Sequence, residues 1–173
     1  MHYYGHLVLR QKAKPIVKIT EKTKKLIGDM VKIMDESNGQ GLAAPQIGHS
    51  VRLFVVRFYQ QREDGEFELS KEPTVFINPK ILSYSEETCT MDEGCLSLPA
   101  MGAPVARPVS VEVSYMNENG ETVETEFEDL HARVFCHEND HLNGILYVDR
   151  VDKKIRKQLD LYLDKIKREH RTV

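Results

Sequence analysis

His137 and His141 stand four residues apart with a glutamate directly after the first, in the order H-E-x-x-H within CHENDHLNG (Cys136 to Gly144). On a helix each residue turns by about 100°, so the two imidazoles fall about 40° apart on one face, with Glu138 about 100° to one side and Asp140 about 60° to the other. Two imidazoles sharing a divalent cation, with a carboxylate in reach of the cation's water, are the working parts of metal-assisted hydrolysis. Two ordinary histidines on a solvated helix face would be spelled the same way, so the remaining ligand matters.

An extended H-E-x-x-H-x-x-G-x-x-H pattern would need a third histidine at 147; Gly144 fits, but 147 is Tyr. A downstream glutamate has only Glu169 to offer, far along a basic tail. Upstream, EGCLS (Glu93 to Ser97) presents Cys95 beside a glycine that permits close backbone approach. A Cys/His/His set is a sensible three-ligand site that leaves a fourth position for water.

The elements that must position these groups are legible in part. Thr20 is a plausible N-cap before a helix whose Ile27, Met30, Val31 and Met34 recur at helical spacing. Arg52 to Phe58 is a β-rich run, and Asp64-Gly65 suggests a hairpin turn before VFINP. Val109 to Met116 and ETVETEF alternate around Asn119-Gly120, a second hairpin. Leu130 and Val134 precede His137 at helix-compatible spacing, and Gly144 offers a stop. A final amphipathic helix carries a stripe of Ile155, Leu159, Tyr162, Leu163 and Ile166. The expected class is α+β: antiparallel or mixed strands around a central metal-binding helix, with an N-terminal and a C-terminal helix.

A chain of 173 residues with 40% apolar content suits a single domain over 1–173. No segment approaches the run of about 20 apolar residues that spans a bilayer, and the first residues lack the apolar stretch of a secretory signal, so the expected location is cytoplasmic and off the membrane. The odd cysteine count (Cys89, Cys95, Cys136) favours free thiols or a metal ligand over disulfides. The net charge of −3 argues against a whole-surface DNA binder. From Asp152 onward, however, eight Lys/Arg face four Asp/Glu, so a tail of +4 follows a body of −7.

GQGLAAPQ (Gly39 to Gln46), EGCLS and HENDH (His137 to His141) resemble, in order, the three signature motifs of the peptide deformylase family, and the likeness covers nearly the whole chain. The resemblance implies Cys95, His137 and His141 as ligands of one divalent ion, natively Fe²⁺, with Zn²⁺, Ni²⁺ and Co²⁺ also suited to an S/N set. It implies release of formate from N-formylmethionyl nascent peptides, an ion-activated water attacking the formyl carbonyl with Glu138 as general base and acid. It further implies the Leu96 N–H and the Gln46 side chain as oxyanion donors. Gly39 and Gly41 then let the loop lie against an extended peptide, and Leu130 and Val134 wall an apolar pocket for methionine. A phosphate loop is the competing idea for the glycines, but no G-K-[ST] follows. The basic C-terminal helix reads first as an amphipathic helix that packs on the body with its lysines solvated; the likeness adds docking near the ribosomal exit tunnel as the alternative.

By the same likeness Glu93 steadies the metal-binding loop and Arg107 pairs with Asp140, which as a lone residue reads equally well as a surface aspartate. Cys136 is expected as a small core thiol and Cys89 as structural. His6, His49, His131 and His170 are expected to be solvated or packed. Three positions depart from the family's pattern: Gln40 stands where an apolar residue is usual, Asn139 likewise, and Gly102 lies where some members carry an arginine. Competing functions are a small H-E-x-x-H endopeptidase and a deformylase-like fold kept as a ribosome-binding module.

Overall fold

A computed structural model describes residues 1–170 of the chain; Arg171, part of the basic tail, lies outside them. Helix α1 (Glu21–Glu36) starts at Thr20, whose Oγ1 accepts from the Thr23 N–H at 3.3 Å while its own N–H donates to Thr23 Oγ1 at 3.2 Å. This reciprocal cap satisfies two helix-end donors. The expected stripe is buried at Ile27, Met30 and Met34.

After α1 the chain runs through β1 (Gly41–Ala43), a 3-10 turn at Ala44–Ile47, and β2 (Leu53–Val56). A hairpin of β3 (Tyr59–Gln61) and β4 (Phe67–Leu69) encloses Asp64-Gly65 as expected, and β5 (Thr74–Tyr84) follows. Then come β6 (Thr88–Cys95), β7 (Leu98–Pro108), β8 (Ser110–Met116) and β9 (Thr122–Glu128). Helix α2 (Asp129–Leu142) carries H-E-x-x-H, and α3 (Lys153–Glu169) ends the described chain. Strands β1-β2-β5-β8-β9 form an antiparallel sheet in that order, whereas β3-β4 and β6-β7 stand as separate two-stranded ribbons.

Successive side chains of a strand point to opposite faces. Leu53 and Val55 therefore meet Met30 and Met34 of α1, while Phe54 and Val56 join Phe76 and Phe135 on the α2 side. Phe54 packs on Phe76 at 4.7 Å between ring centroids and edge-on against Phe135 at 5.3 Å. Burial of both faces explains why β2 is apolar throughout rather than alternating. The central placement of α2 and the α+β class agree with the sequence reading.

A third core joins Leu98, Ala103 and Val105 of β7 to Leu163 and Ile166 of α3. The expected α3 stripe holds at these two residues and, half-buried, at Ile155 and Leu159. Tyr162 departs from it: the residue is 61% exposed, because the contact line on α3 is narrower than its apolar arc.

Between the β7 core and the α2 core runs a chain of charge, buried except at Arg150 on its outer end. Arg107 donates to both oxygens of Glu93 (2.8 and 2.9 Å) and to Asp140 Oδ2 (2.6 Å). Arg133 adds 2.8 Å to Glu93 Oε1, and Arg150 donates two bonds of 2.5 Å to Asp140. Burial alone would push Glu93 up, but hydrogen bonds from Arg107 and His137 and the charge of Arg107 hold it far below the usual carboxylate range. A depressed folded value means stability that is complete above the unfolded carboxylate value of about 4.3 and lost as pH falls through the folded one. Glu93→Gln is expected to cost roughly 3 to 5 kcal/mol at neutral pH, as breaking a buried pair does. It should also flatten the loss of stability below about pH 4. Urea unfolding of chelator-treated protein at neutral and acidic pH reads both effects.

Candidate metal centre

Cys95 closes β6, and the two-residue turn Leu96-Ser97 leads into β7. His137 and His141 project from consecutive turns of α2. Donor atoms of Cys95, His137 and His141 all lie within 4.8 Å of one another, with Cys95 Sγ 3.3 Å from His141 Nε2. Around a tetrahedral ion with bonds of about 2.3 Å to sulfur and about 2.05 Å to nitrogen, those two atoms stand roughly 3.6 Å apart. The cluster is therefore of the right size for a transition-metal ion.

The tautomer of His137 agrees with a ligand role. Its Nδ1 meets Glu93 Oε2 at 2.9 Å, and an ionised Glu93 can only accept, so Nδ1 carries the hydrogen and Nε2 is the atom left to face a cation. Burial lowers His137, yet hydrogen bonds to Cys95 and Glu93 raise it well above its ordinary value. His141 is pushed well below its own by burial and by the His137 charge. A soft sulfur, two borderline nitrogens and a carboxylate behind one ring fit a divalent transition metal.

Glu138 is buried on the flank of this cluster, and its Oε2 has no hydrogen-bond partner among the described residues. Burial pushes its carboxyl up to about 7. Gly41 explains how it fits: an added Cβ there would run into the Glu138 carboxylate, 2.8 Å from its Cδ. A Cβ on Gly39 would sit 2.7 Å from the Leu96 side chain. The glycines expected to make room for a substrate therefore make room first for Glu138 and Leu96.

Gln46 is 1% exposed and its orientation is determined by the backbone. The Ala43 N–H donates to Oε1 at 2.8 Å, so the amide nitrogen must face the other way, donating to Ser97 Oγ at 3.2 Å and to Cys95 Sγ at 3.6 Å. A fixed donor beside the cluster results.

Glu138, Gln46, Leu96, Gly39, Gly41, Leu130 and Val134 line one cleft of about 650 Å³ together with Cys95 and His137, while His141 closes the cluster from behind. Leu130 is 41% exposed and forms the outer lip rather than a deep wall. Met91, Met101 and Leu98, from the β6–β7 ribbon, supply apolar walls that sequence reasoning missed. Sequence reasoning also missed the pairing of Arg133 with Glu93 and of Arg150 with Asp140, although Arg133, one turn before His137, shares its helix face and was open to that inference.

Asp140 is buried between Arg107 and Arg150, not on the surface. Asn139 is buried and finds partners, accepting from Arg52 at 3.3 Å through Oδ1 and from the Asn143 side chain at 2.8 Å through its carbonyl. Gln40 lines the cleft with a buried Nε2 that has no partner among the described residues, and Gly102 faces Gly94 across the ribbon outside the lining. Cys136 is a core thiol pushed up to about 11 by burial. Cys89 departs from the structural role expected of it: its side chain is exposed, and its carbonyl accepts from Arg133 at 2.6 Å. His6 caps the first 3-10 turn and His170 stacks on Tyr3.

The sequence profile of the polypeptide deformylase family matches residues 1–157. The peptide deformylase of Synechocystis sp. is 44% identical over 155 residues, covering 90% of this chain and 80% of the relative. That of Chlorobaculum parvum is 42% identical over 164 residues, covering 95% and 85%. The crystal structure of Arabidopsis thaliana peptide deformylase 1B is similar with a TM-score of 0.86 at 35% identity, over 97% of this chain and 90% of that one. The Thermotoga maritima peptide deformylase gives 0.78 at 42% identity, over 87% and 95%. With its Cys/His/His cluster and cleft, the chain belongs to the polypeptide deformylase family of metal-dependent hydrolases.

Proposed function

We propose that this chain hydrolyses the formyl group from N-formylmethionyl peptides in the cytoplasm, with Cys95, His137 and His141 holding one Fe²⁺ ion. The observation that carries the reading is the buried Glu138 carboxylate, its Oε2 unpartnered among the described residues, beside three converging metal donors. When bound, such an ion supplies Lewis acidity and lowers the pKa of water towards neutrality.

The protein's own groups account for the rest. Glu138, raised to about 7 by burial, takes a proton from water and returns it to the leaving amine, and a nearby cation would draw that value down. The Gln46 amide, aimed past Ala43 at the thiol, and the Leu96 N–H donate to the oxygen that gains charge; each such donor is worth about 10² to 10³ in rate. Glu93 holds the His137 ring and its tautomer. Met91, Met101, Val134 and the lip at Leu130 exclude water and take the methionine side chain. Gly39 and Gly41 leave backbone open to an extended peptide.

Protein purified without oxygen is expected to release formate from formyl-Met-Ala-Ser, with metal content measured on the same sample. Glu138→Ala should keep the metal and lose about 10² to 10⁴ in turnover, whereas Cys95→Ala should lose the metal. Internal peptide cleavage without formate would favour the endopeptidase instead.

For the basic helix α3 we propose docking on the ribosome. Lys153, Lys154 and Lys157 remain exposed, whereas Arg156 is engaged by Asp149 and Tyr4. Neutralising the three lysines should weaken ribosome co-sedimentation and its salt dependence. Unchanged sedimentation would exclude the contact.

A further inference from the structure

We propose that the aromatic groove beside the cleft receives residues four to six of the formylated chain and favours basic and apolar side chains there, an inference resting on the deformylase reading above. The groove, about 760 Å³, runs between the β3–β4 ribbon and the start of α2, with Tyr59, Phe67 and Phe127 as its floor and Glu126, Glu128 and Asp129 on its rim. Phe67 is 67% exposed and Tyr59 39%, so two aromatic faces lie open side by side.

Three observations select the occupant. The first is continuity: Leu130 lines both this groove and the catalytic cleft, so a chain leaving the cleft over that lip enters the groove without crossing another element. The second is length. Seven residues of α2 separate Leu130 from His137, about 10.5 Å at 1.5 Å per residue. An extended peptide covers that distance in roughly three residues at about 3.3 Å each. With the formyl carbon at the cluster, residues one to three fill the cleft and the fourth passes the lip. The third is charge. No lysine or arginine lines the groove, and none of the three rim carboxylates has an ion-pair partner among the described residues. Three carboxylates outweigh the roughly half positive charge that the start of α2 presents.

Aromatic faces and unpaired carboxylates together suit cationic side chains with long apolar stems, through cation–π contact and ion pairing. The wall does not float. His131 Nε2 meets the Tyr59 carbonyl at 2.9 Å and its ring packs on Phe58 at 4.6 Å, fastening the ribbon to the helix that carries His137.

The test compares kcat/KM for formate release from three peptides: formyl-Met-Ala-Ser, formyl-Met-Ala-Ser-Lys-Phe-Lys and formyl-Met-Ala-Ser-Glu-Ser-Glu. The basic hexapeptide should exceed the acidic one by roughly five- to twentyfold, mostly through KM, and the ratio should shrink as salt is raised. The Glu126→Gln/Glu128→Gln double variant should lose most of that ratio and leave the tripeptide unchanged. Phe67→Ser, an exposed change that spares the charges, should slow the basic hexapeptide alone. Equal rates for the two hexapeptides would overturn the proposal, as would a preference surviving the double variant, which would trace it to the general charge of the surface. Absence of formate even from the tripeptide would bring down the deformylase reading and this inference with it.

Discussion

Arg107 forks between two carboxylates, Glu93 on β6 and Asp140 on α2, and the site exists only as long as that fork holds. The β6–β7 ribbon buries its apolar face against α3, whereas α2 buries its own against the five-stranded sheet. Cys95 therefore belongs to one packing unit and the histidines to another. Apolar side chains of similar volume could hold the units together at least as strongly, because buried ion pairs repay their desolvation poorly. They would not define a register, since dispersion contacts tolerate sliding and forked hydrogen bonds do not. Glu93 serves both purposes: it anchors Arg107 and fixes the ring of His137.

The sequence made the helices and the paired strands of the main sheet legible, because their burial patterns are local. Thr20, Ile27, Met30 and Met34 announce α1, and Asn119-Gly120 announces the β8–β9 turn. The long β6–β7 ribbon stayed hidden. Its second strand contains Pro99, Pro104 and Pro108, which argue against a strand inside a sheet. In a ribbon of two strands each strand is an edge, and a proline can turn its missing donor outward. Arg133 and Arg150 were hidden for another reason: their ion pairs depend on Glu93 and Asp140 from elsewhere in the fold, which no local pattern records. The exposed Cys89 and Tyr162 show the reverse case, residues of apolar character that no element comes to cover.

The glycines of the first motif show how a correct identification can carry an incomplete reason. Gly41 sits where a methyl group would strike the Glu138 carboxylate, so the loop and the helix approach as closely as backbone allows. That approach shuts bulk water away from Glu138 and pushes its carboxyl into the neutral range, where proton exchange is most effective. Gln46 shows the same economy of means: one backbone hydrogen bond from Ala43 decides which end of the amide faces the thiol. Asn139, polar yet buried, is accommodated because Arg52 reaches it from the edge of β2.

The separation of Cys95 from His137 and His141 would couple metal capture to folding. An ion held by all three donors would bridge two cores that otherwise meet through charged groups, with no comparable site in an unfolded chain. Binding of that kind raises the free energy of unfolding by RT ln(1 + [L]/Kd), about 4 kcal/mol at a thousandfold excess over Kd. Chelation would then remove a staple as well as a cofactor, and the melting temperature of the chain would become a gauge of its metal occupancy.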